Sequence, residues 1–437
     1  MASVETTTTL NGLFKQVYGD KVMDLIPESD ILFGTSRIKF VSKKGREGLA
    51  YNQPVLLSYP SSATWGLNGP TLNANISSQM GNAVVTGSAI TMRDVIAYDA
   101  AARSVGSAAA FEAVAGLIIR NLYKAIGKFS EIDMLYGNGS ITSGVSLGQS
   151  TSIVQNGGSG GNCVVTLTYA SWAPALFSGF ENALVDAYQA GTKINTNAGF
   201  QIVSVNVAPV STTVGGTITL TGNASDLNSL VADTGGTAID FYWTSAYGNN
   251  QIGLSGILQN TGSIFGINAA TYSLWLPNTF ANPTGTQLTF SKVQQAAALA
   301  VSRGLDEELM WIFSPVSFAD LVNEQAGARR YDSSYKNKDN ENGSEALTFW
   351  GPNGKMEIVP HLFCHQGEGF GIPPSEVMKV GPMDKAEAAL PGLGTELFFQ
   401  SPLTASYEMR LFTDFATLVT APAKCIYFSG ITNSQSA

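Results

Sequence analysis

Between Gly106 and Tyr136 the apolar residues Phe111, Val114, Leu117, Ile118, Leu122, Ile126, Phe129, Ile132 and Leu135 recur at spacings of three and four. This period predicts one face of a continuous α-helix, with Glu112, Arg120, Lys124, Lys128 and Glu131 on the other. Thirty residues at 1.5 Å each make a rod roughly 45 Å long, more than a compact domain requires. The rest of the chain must therefore be arranged along a spine.

The rod ends in "SEIDMLYGNGS", Ser130 to Ser140, where two carboxylates precede a Gly-Asn-Gly-Ser turn. Polarity decides against a phosphate cradle. Anion loops lie before a helix, where free N–H groups and the positive dipole end point outward. Gly137 and Gly139 lie after it, at the negative end. They read as a left-handed helix exit, and Glu131 and Asp133 read as late-helix polar residues that carry no chemistry.

Upstream, Leu10, Leu13, Phe14 and Val17 share a helical face that breaks at Pro27, and the polar stretch 35–90 reads as extended and projecting. Downstream, the Gly/Ser-rich residues 141–165 read as a long loop, and about Trp172 to Ala190 as a helix. "FQIVSVNVAPVSTTVGGTITLTG" and "AIDFYWTS" form the most β-like region, a small inserted sheet. Helices are expected at "SKVQQAAALAVSRG" and "VSFADLVNEQ", around the buried strand "ELMWIFSP". A charged loop and a series of strands complete the chain.

Only 13% of the residues are charged, about half the usual fraction. So uncharged a chain is suited to burying surface against neighbours. Net charge is −9, which gives no strongly basic face for nucleic acid. From Ile141 to Phe290 Lys193 is the sole basic residue, whereas the first fifty residues carry seven Lys and Arg against six acids. The N-terminal part is the side that tolerates a polyanion. Cys163, Cys364 and Cys425 are too few and scattered for a disulfide framework. The first residues lack the basic and apolar regions of a signal peptide, and no apolar run reaches membrane-spanning length. The expectation is a soluble protein in a reducing compartment.

Motifs for catalysis fail on context. His361, Cys364 and His365 lie in "PHLFCHQ"; on a strand the two histidines would stand about 13 Å apart, too far to share an ion. "GGSGG", Gly157 to Gly161, matches a nucleophile elbow but lacks the strand and helix that pattern needs. "GEGFGI" lacks the helix of a dinucleotide turn. No metal, cofactor or catalytic residue is expected.

The order of parts resembles the major capsid protein of tailed bacteriophages, the Hong Kong 97-type capsid fold. "EIDMLYGNGS" is similar to that family's helix-terminal element, with Asp133, Leu135, Gly137 and Gly139 in the matching places. "KVQQAAALAVSRGLDEELMWIFSPVSFADLV" resembles its helix–strand–helix run, with Pro315 at the strand exit. "KMEIVPHLF", with Pro360, resembles the strand toward the A-domain tip. "YEMRLFTDFATLVTAPAKCIYFSGI" resembles the closing strands, with Pro422 and Gly430. The resemblance spans about residues 10–432. It implies an α+β fold with an N-terminal arm at 1–34 and an extended E-loop at 35–90. A spine helix and the first part of a P domain follow at 91–140. An A domain at 141–375 carries the β-rich insertion near 195–250, and returning P-domain strands with the C-terminal strand occupy 376–437. The insertion departs from the family's order, and no long charged segment precedes the arm to act as fused scaffold.

The function implied is a non-enzymatic subunit that assembles with itself, as pentamers and hexamers, into an icosahedral head around double-stranded DNA. Scaffolding, portal and decoration proteins are the implied partners, with nonspecific DNA contact on the inner face. The implied locations are the virion capsid and, during assembly, the host cytoplasm. Gly137, Gly139, Pro315, Pro360 and Pro422 are expected as structural turns. Lys43, Lys44, Arg46 and Trp65 are expected as loop contacts between subunits, and Lys43 and Lys44 as candidates for the Lys–Asn crosslinks of some relatives. An encapsulin-type cargo shell shares the fold. A β-rich surface adhesin is the alternative from another class; the inserted strands suggest it, and the missing signal peptide argues against it.

Overall fold

A fourteen-residue strand, Ser406–Val419, ties the molecule together in the computed structural model. The structure describes residues 31–34, 37–42, 50–66, 69–104, 114–139, 145–208, 214–232, 238–283, 285–328, 347–352, 354–383, 385–388, 398–400 and 405–433. The helical face of the arm (Leu10, Leu13, Phe14, Val17), Lys43, Lys44, Arg46 and the charged loop near 330–345 lie outside them. The first part of the long strand pairs antiparallel with Ser88–Ala97, from Ser406 opposite Ala97 to Phe415 opposite Ser88. Its end pairs with Val377–Gly381, which lies parallel to Lys39–Ser42. Ser88–Ala97 alternates, so that Ile90 and Met92 turn inward while Ala89, Thr91 and Arg93 face out. That inner face packs on Leu122 and Ile126 of the long helix, described over Val114–Tyr136, together with Met409 and Leu411.

The β-rich region is larger than the inserted sheet read from the sequence. It begins at Gly148–Gln155, inside the stretch expected to be a loop, and forms a hairpin with Cys163–Thr168. The run "GGSGG" is the turn of that hairpin. Gly157, Gly158 and Gly160 have φ near +80 to +90°, as a tight turn demands. The expected helix from Trp172 to Ala190 is instead a single turn, Pro174–Phe177, followed by the strand Leu184–Gln189. Phe200–Asn206, Val214–Thr221 and Asp240–Trp243 complete the set. Asp240–Trp243 pairs with both Gly148–Gln155 and Leu184–Gln189, so six antiparallel strands close on themselves. Closure removes the exposed edges that a small sheet would present. Val165, Leu167, Phe200, Ile202, Ile218 and Leu220 are fully buried within it, and Leu227 and Leu230 of helix Ala224–Ala232 join the same core. Gly216 lies against Trp172, where a Cβ would stand 2.3 Å from the indole ring.

A mixed sheet makes the second body of the core. Its order is Asn278–Ala281, Ile426–Ser429, Glu368–Ile372, Leu309–Phe313, Gly354–Pro360 and Leu347–Gly351. Leu309–Phe313 is buried at every residue, as a continuous apolar run in a covered strand should be. Helices Phe290–Val301 and Pro315–Ala328 flank it where the sequence predicts helices. Cys163, Cys364 and Cys425 are buried free thiols.

Within the stretch expected to project, Ala50–Ser58 and Gln79–Thr86 form a long hairpin. It does not stand free along its whole length. Leu57, Ala83 and Val85 are buried with Ile264 and Ile267 of a second, two-residue-stranded hairpin, and the Val84 N–H donates to the Phe265 carbonyl at 2.8 Å.

Candidate functional site

The last turns of the long helix run through the interior, which overturns the outward placement of Lys128 and Glu131. Ser130, Glu131, Ile132, Met134, Leu135 and Tyr136 are all buried. Lys128 Nζ donates to the Ser178 carbonyl at 2.8 Å and lies 4.1 Å from the centre of the Phe180 ring. Burial lowers its pKa to about 8, with Glu181 pulling weakly the other way.

Glu131 is a hub. Its Oε1 accepts the N–H groups of Ile31 (3.0 Å) and Leu32 (2.8 Å), and its Oε2 accepts that of Phe33 (2.6 Å). His361 Nε2 lies 2.7 Å from Oε1, with both side chains completely buried. The Phe363 N–H donates to His361 Nδ1 (3.1 Å), so Nδ1 carries the lone pair and Nε2 the proton. A neutral imidazole thus donates to a carboxylate that also takes three amide donors, which is how a buried charge is made tolerable. Lys379 Nζ holds the same segment from its other side by donating to the Phe33 carbonyl at 2.7 Å. The hub joins residues 31–33, the long helix and the turn after Gly354–Pro360.

His365 is arranged the opposite way. Its Nδ1 lies 2.7 Å from Glu368 Oε1 and its Nε2 3.3 Å from the Leu147 carbonyl. Both neighbours are acceptors, so the ring turns an N–H toward the carboxylate. It stacks on Tyr136 with ring centres 4.0 Å apart. Tyr427 donates its hydroxyl to Glu368 Oε2 at 2.7 Å. Burial pushes the Glu368 carboxyl up, yet the His365 charge and these hydrogen bonds hold it below its ordinary value. The two histidines follow the strand instead of lying on it, and each serves its own carboxylate. Among the described residues no group of three His, Cys, Asp or Glu side chains gathers around a common point.

Asp133 faces away from this hub. Asn250 Nδ2 donates to its Oδ1 at 2.8 Å, while Asn250 Oδ1 accepts the N–H groups of Asn138 (3.2 Å) and Gly139 (3.0 Å). The turn therefore receives another segment of this chain at the helix end. Burial raises the Asp133 pKa to about 7, and hydrogen bonds from Asn250 and Gln251 offset only part of that rise. Gly139 has the left-handed conformation expected of it, φ +47°. Gly137 does not. It is glycine because a Cβ there would lie 2.3 Å from the Gln251 carbonyl oxygen and 2.6 Å from that of Asp133. Both obstacles are backbone, so Gly137→Ala should lower the unfolding free energy by about 1–3 kcal/mol, the usual cost of overpacking. Urea denaturation would measure it, and an unchanged midpoint would contradict this packing.

The expected proline turns fall at element ends. Pro315 opens helix Pro315–Ala328, where a missing N–H costs nothing. Pro360 closes the strand Gly354–Pro360, and Pro422 opens the 3₁₀ turn Pro422–Lys424 between the last two strands. Trp65 lies beyond the hairpin strands and is 85% exposed. Leu72, Tyr59, Met80 and Ile76 on the same arm are also exposed. Five large apolar side chains are thus exposed on one arm of the described structure.

An exposed apolar hairpin, a long helix with a buried end and a closing strand shared by two sheet partners define an α+β architecture. The same architecture is found in two solved capsids. A chain of the cyanophage A-1(L) capsid asymmetric unit superposes with TM-score 0.56 and 11% identity, covering 98% of this chain and 100% of that one. A chain from the capsid of a native GTA particle superposes with TM-score 0.51 and 6% identity, with the same coverages. The chain has an α+β capsid fold. No protein-family model and no curated protein sequence matches it.

Proposed function

We propose that this chain is the major capsid subunit of a tailed phage, assembling with itself into the icosahedral head that encloses double-stranded DNA. The observation that carries the reading is the superposition on the cyanophage A-1(L) capsid chain over 98% of this chain and 100% of that one. The low charge content and the apolar hairpin support it, because interface cores are poor in charge. In this reading Ala50–Ser58 and Gln79–Thr86 are the stem of the E-loop, and Trp65 reaches a neighbouring copy. The helix Val114–Tyr136 is the spine. The long strand Ser406–Val419 with its partners Ser88–Ala97 and Val377–Gly381 is the P domain, and Lys39–Ser42 from the 35–90 segment joins the same sheet. The six-stranded barrel and the mixed sheet belong to the A-domain region. Scaffolding, portal and decoration proteins, and packaged DNA on the inner face, are the partners of such a subunit.

Expression of the chain alone and with the phage's scaffold, followed by size exclusion and negative-stain microscopy, tests the reading. Rings or shells are expected. A 46.0 kDa monomer that never assembles under either condition would overturn it, and particles filled with an enzyme and free of DNA would favour a cargo shell. Trp65→Ala should leave the thermal unfolding of the subunit unchanged, because its side chain is exposed, and should reduce assembly yield several-fold. Normal assembly by that variant would remove Trp65 from the interface.

A further inference from the structure

A cleft of about 490 Å³ opens between the strand Ser88–Ala97, the end of the long helix and the turn after Asp240–Trp243. Its size falls in the range of small-ligand sites, roughly 300–1,000 Å³. Phe129, Tyr136, Tyr242 and Trp243 supply aromatic wall, and among the described residues Asp133 is the one acid lining it. Arg93 is the other charged residue of the lining, but its side chain is 65% exposed and its Nε lies 4.0 Å from Glu408. The other titratable residues lining the cleft are Tyr136 on the same helix, whose hydroxyl accepts the His365 N–H at 2.8 Å, Tyr242 and Arg93. Among the described residues no cation pairs with Asp133; its hydrogen-bond partners are amides.

We propose that this cleft binds a small organic cation, an ammonium group on an aromatic or alkyl stem, with Asp133 taking the ammonium. The complementarity is twofold. Aromatic faces attract cations and bury the stem, while the carboxylate supplies the opposite charge in a site where water screens it poorly. Asp133 exchanges amide partners, which cannot neutralise it, for one that can. The elevated Asp133 pKa adds a linkage: the ammonium needs the ionised carboxylate, so binding strengthens as pH rises toward neutrality and releases a proton below it. This inference stands apart from the capsid reading and survives its failure.

The probe is 2-phenylethylammonium chloride, titrated calorimetrically into the full-length chain, with neutral 2-phenylethanol as the matched control. Saturable binding is expected at about pH 8, weaker by about tenfold or more at about pH 5.5. The alcohol should bind at least tenfold more weakly than the ammonium ion at the higher pH, and Asp133→Asn should abolish the difference between them. Absence of saturable binding at the higher pH would overturn the proposal. Equal binding of amine and alcohol, or equal affinity at both pH values, would do the same. These comparisons on the unmodified chain hold even if the variant does not fold.

Discussion

Glu131→Ala is expected to leave the chain barely able to hold its native state. The substitution withdraws the carboxylate acceptor from the N–H groups of Ile31, Leu32 and Phe33 and from His361 Nε2 at once. A buried donor left unpaired costs about 1–3 kcal/mol, so the three buried ones, at Leu32, Phe33 and His361, together approach the lower part of a domain's whole stability, about 5–15 kcal/mol. Lys379 would still hold the Phe33 carbonyl, but the carboxylate that gathers the three amides on the helix side would be gone. Glu131→Gln keeps the shape and one acceptor oxygen while turning an NH₂ toward donors, so it should fall between parent and alanine. His361→Ala should be milder, because Glu131 keeps its three backbone donors. Urea unfolding of the three variants gives the order, and a parent-like midpoint for Glu131→Ala would refute the hub. In the capsid reading the same variant should also fail to assemble, because the segment that leaves the arm at Ile31 is anchored there.

Glu131 was hidden from sequence reading by the rule that places charges on the helix face opposite the apolar stripe. A local signal existed. Ile132, Met134, Leu135 and Tyr136 together cover the circumference of the last turn, so the acids among them have little access to water. What no local signal could supply is the partners, which lie 98 to 100 residues upstream and 230 downstream. The long helix and the helices around Leu309–Phe313 were legible because one period persists through each, and that strand because its apolar run is unbroken. Leu184–Gln189 was not, since Glu181, Ala183, Leu184 and Gln189 before and within it favour a helix locally. Pairing with Asp240–Trp243 and Phe200–Asn206 overrides that preference. Likewise Gly157 to Gly161 looks flexible in composition, but strands on both sides pin it as a hairpin turn. Ring closure depends on Asp240–Trp243 reaching back to Gly148–Gln155 about ninety residues earlier, a pairing that periodicity does not encode.

Asp133→Asn is expected to stabilise the protein at mildly alkaline pH, the reverse of what loss of a hydrogen-bonded carboxylate usually does. The folded-state pKa of about 7 lies above the ordinary 3.8, so the folded protein favours the neutral acid. Below both values the acid is protonated folded and unfolded, and contributes nothing. As pH rises between them the unfolded chain ionises first, and stability falls. Above about 7 the full penalty applies, at most roughly 4 kcal/mol for a shift of this size and less to the extent that the cleft admits water. Asparagine imitates the protonated acid, and its amide oxygen can still accept from Asn250 Nδ2. The variant should therefore gain about 2 kcal/mol or more over the parent at about pH 8, and the gain should shrink through neutrality to nothing near pH 4. Glu368 supplies an internal contrast. Its folded pKa is lowered, so its contribution is present above the ordinary carboxylate range and lost as pH falls through the folded value, in parent and variant alike. Urea midpoints across the pH range separate the two carboxylates. A gain that persisted unchanged at acid pH would come from repacking, and would show that Asp133 is not the partly buried acid of raised pKa that the cleft makes it.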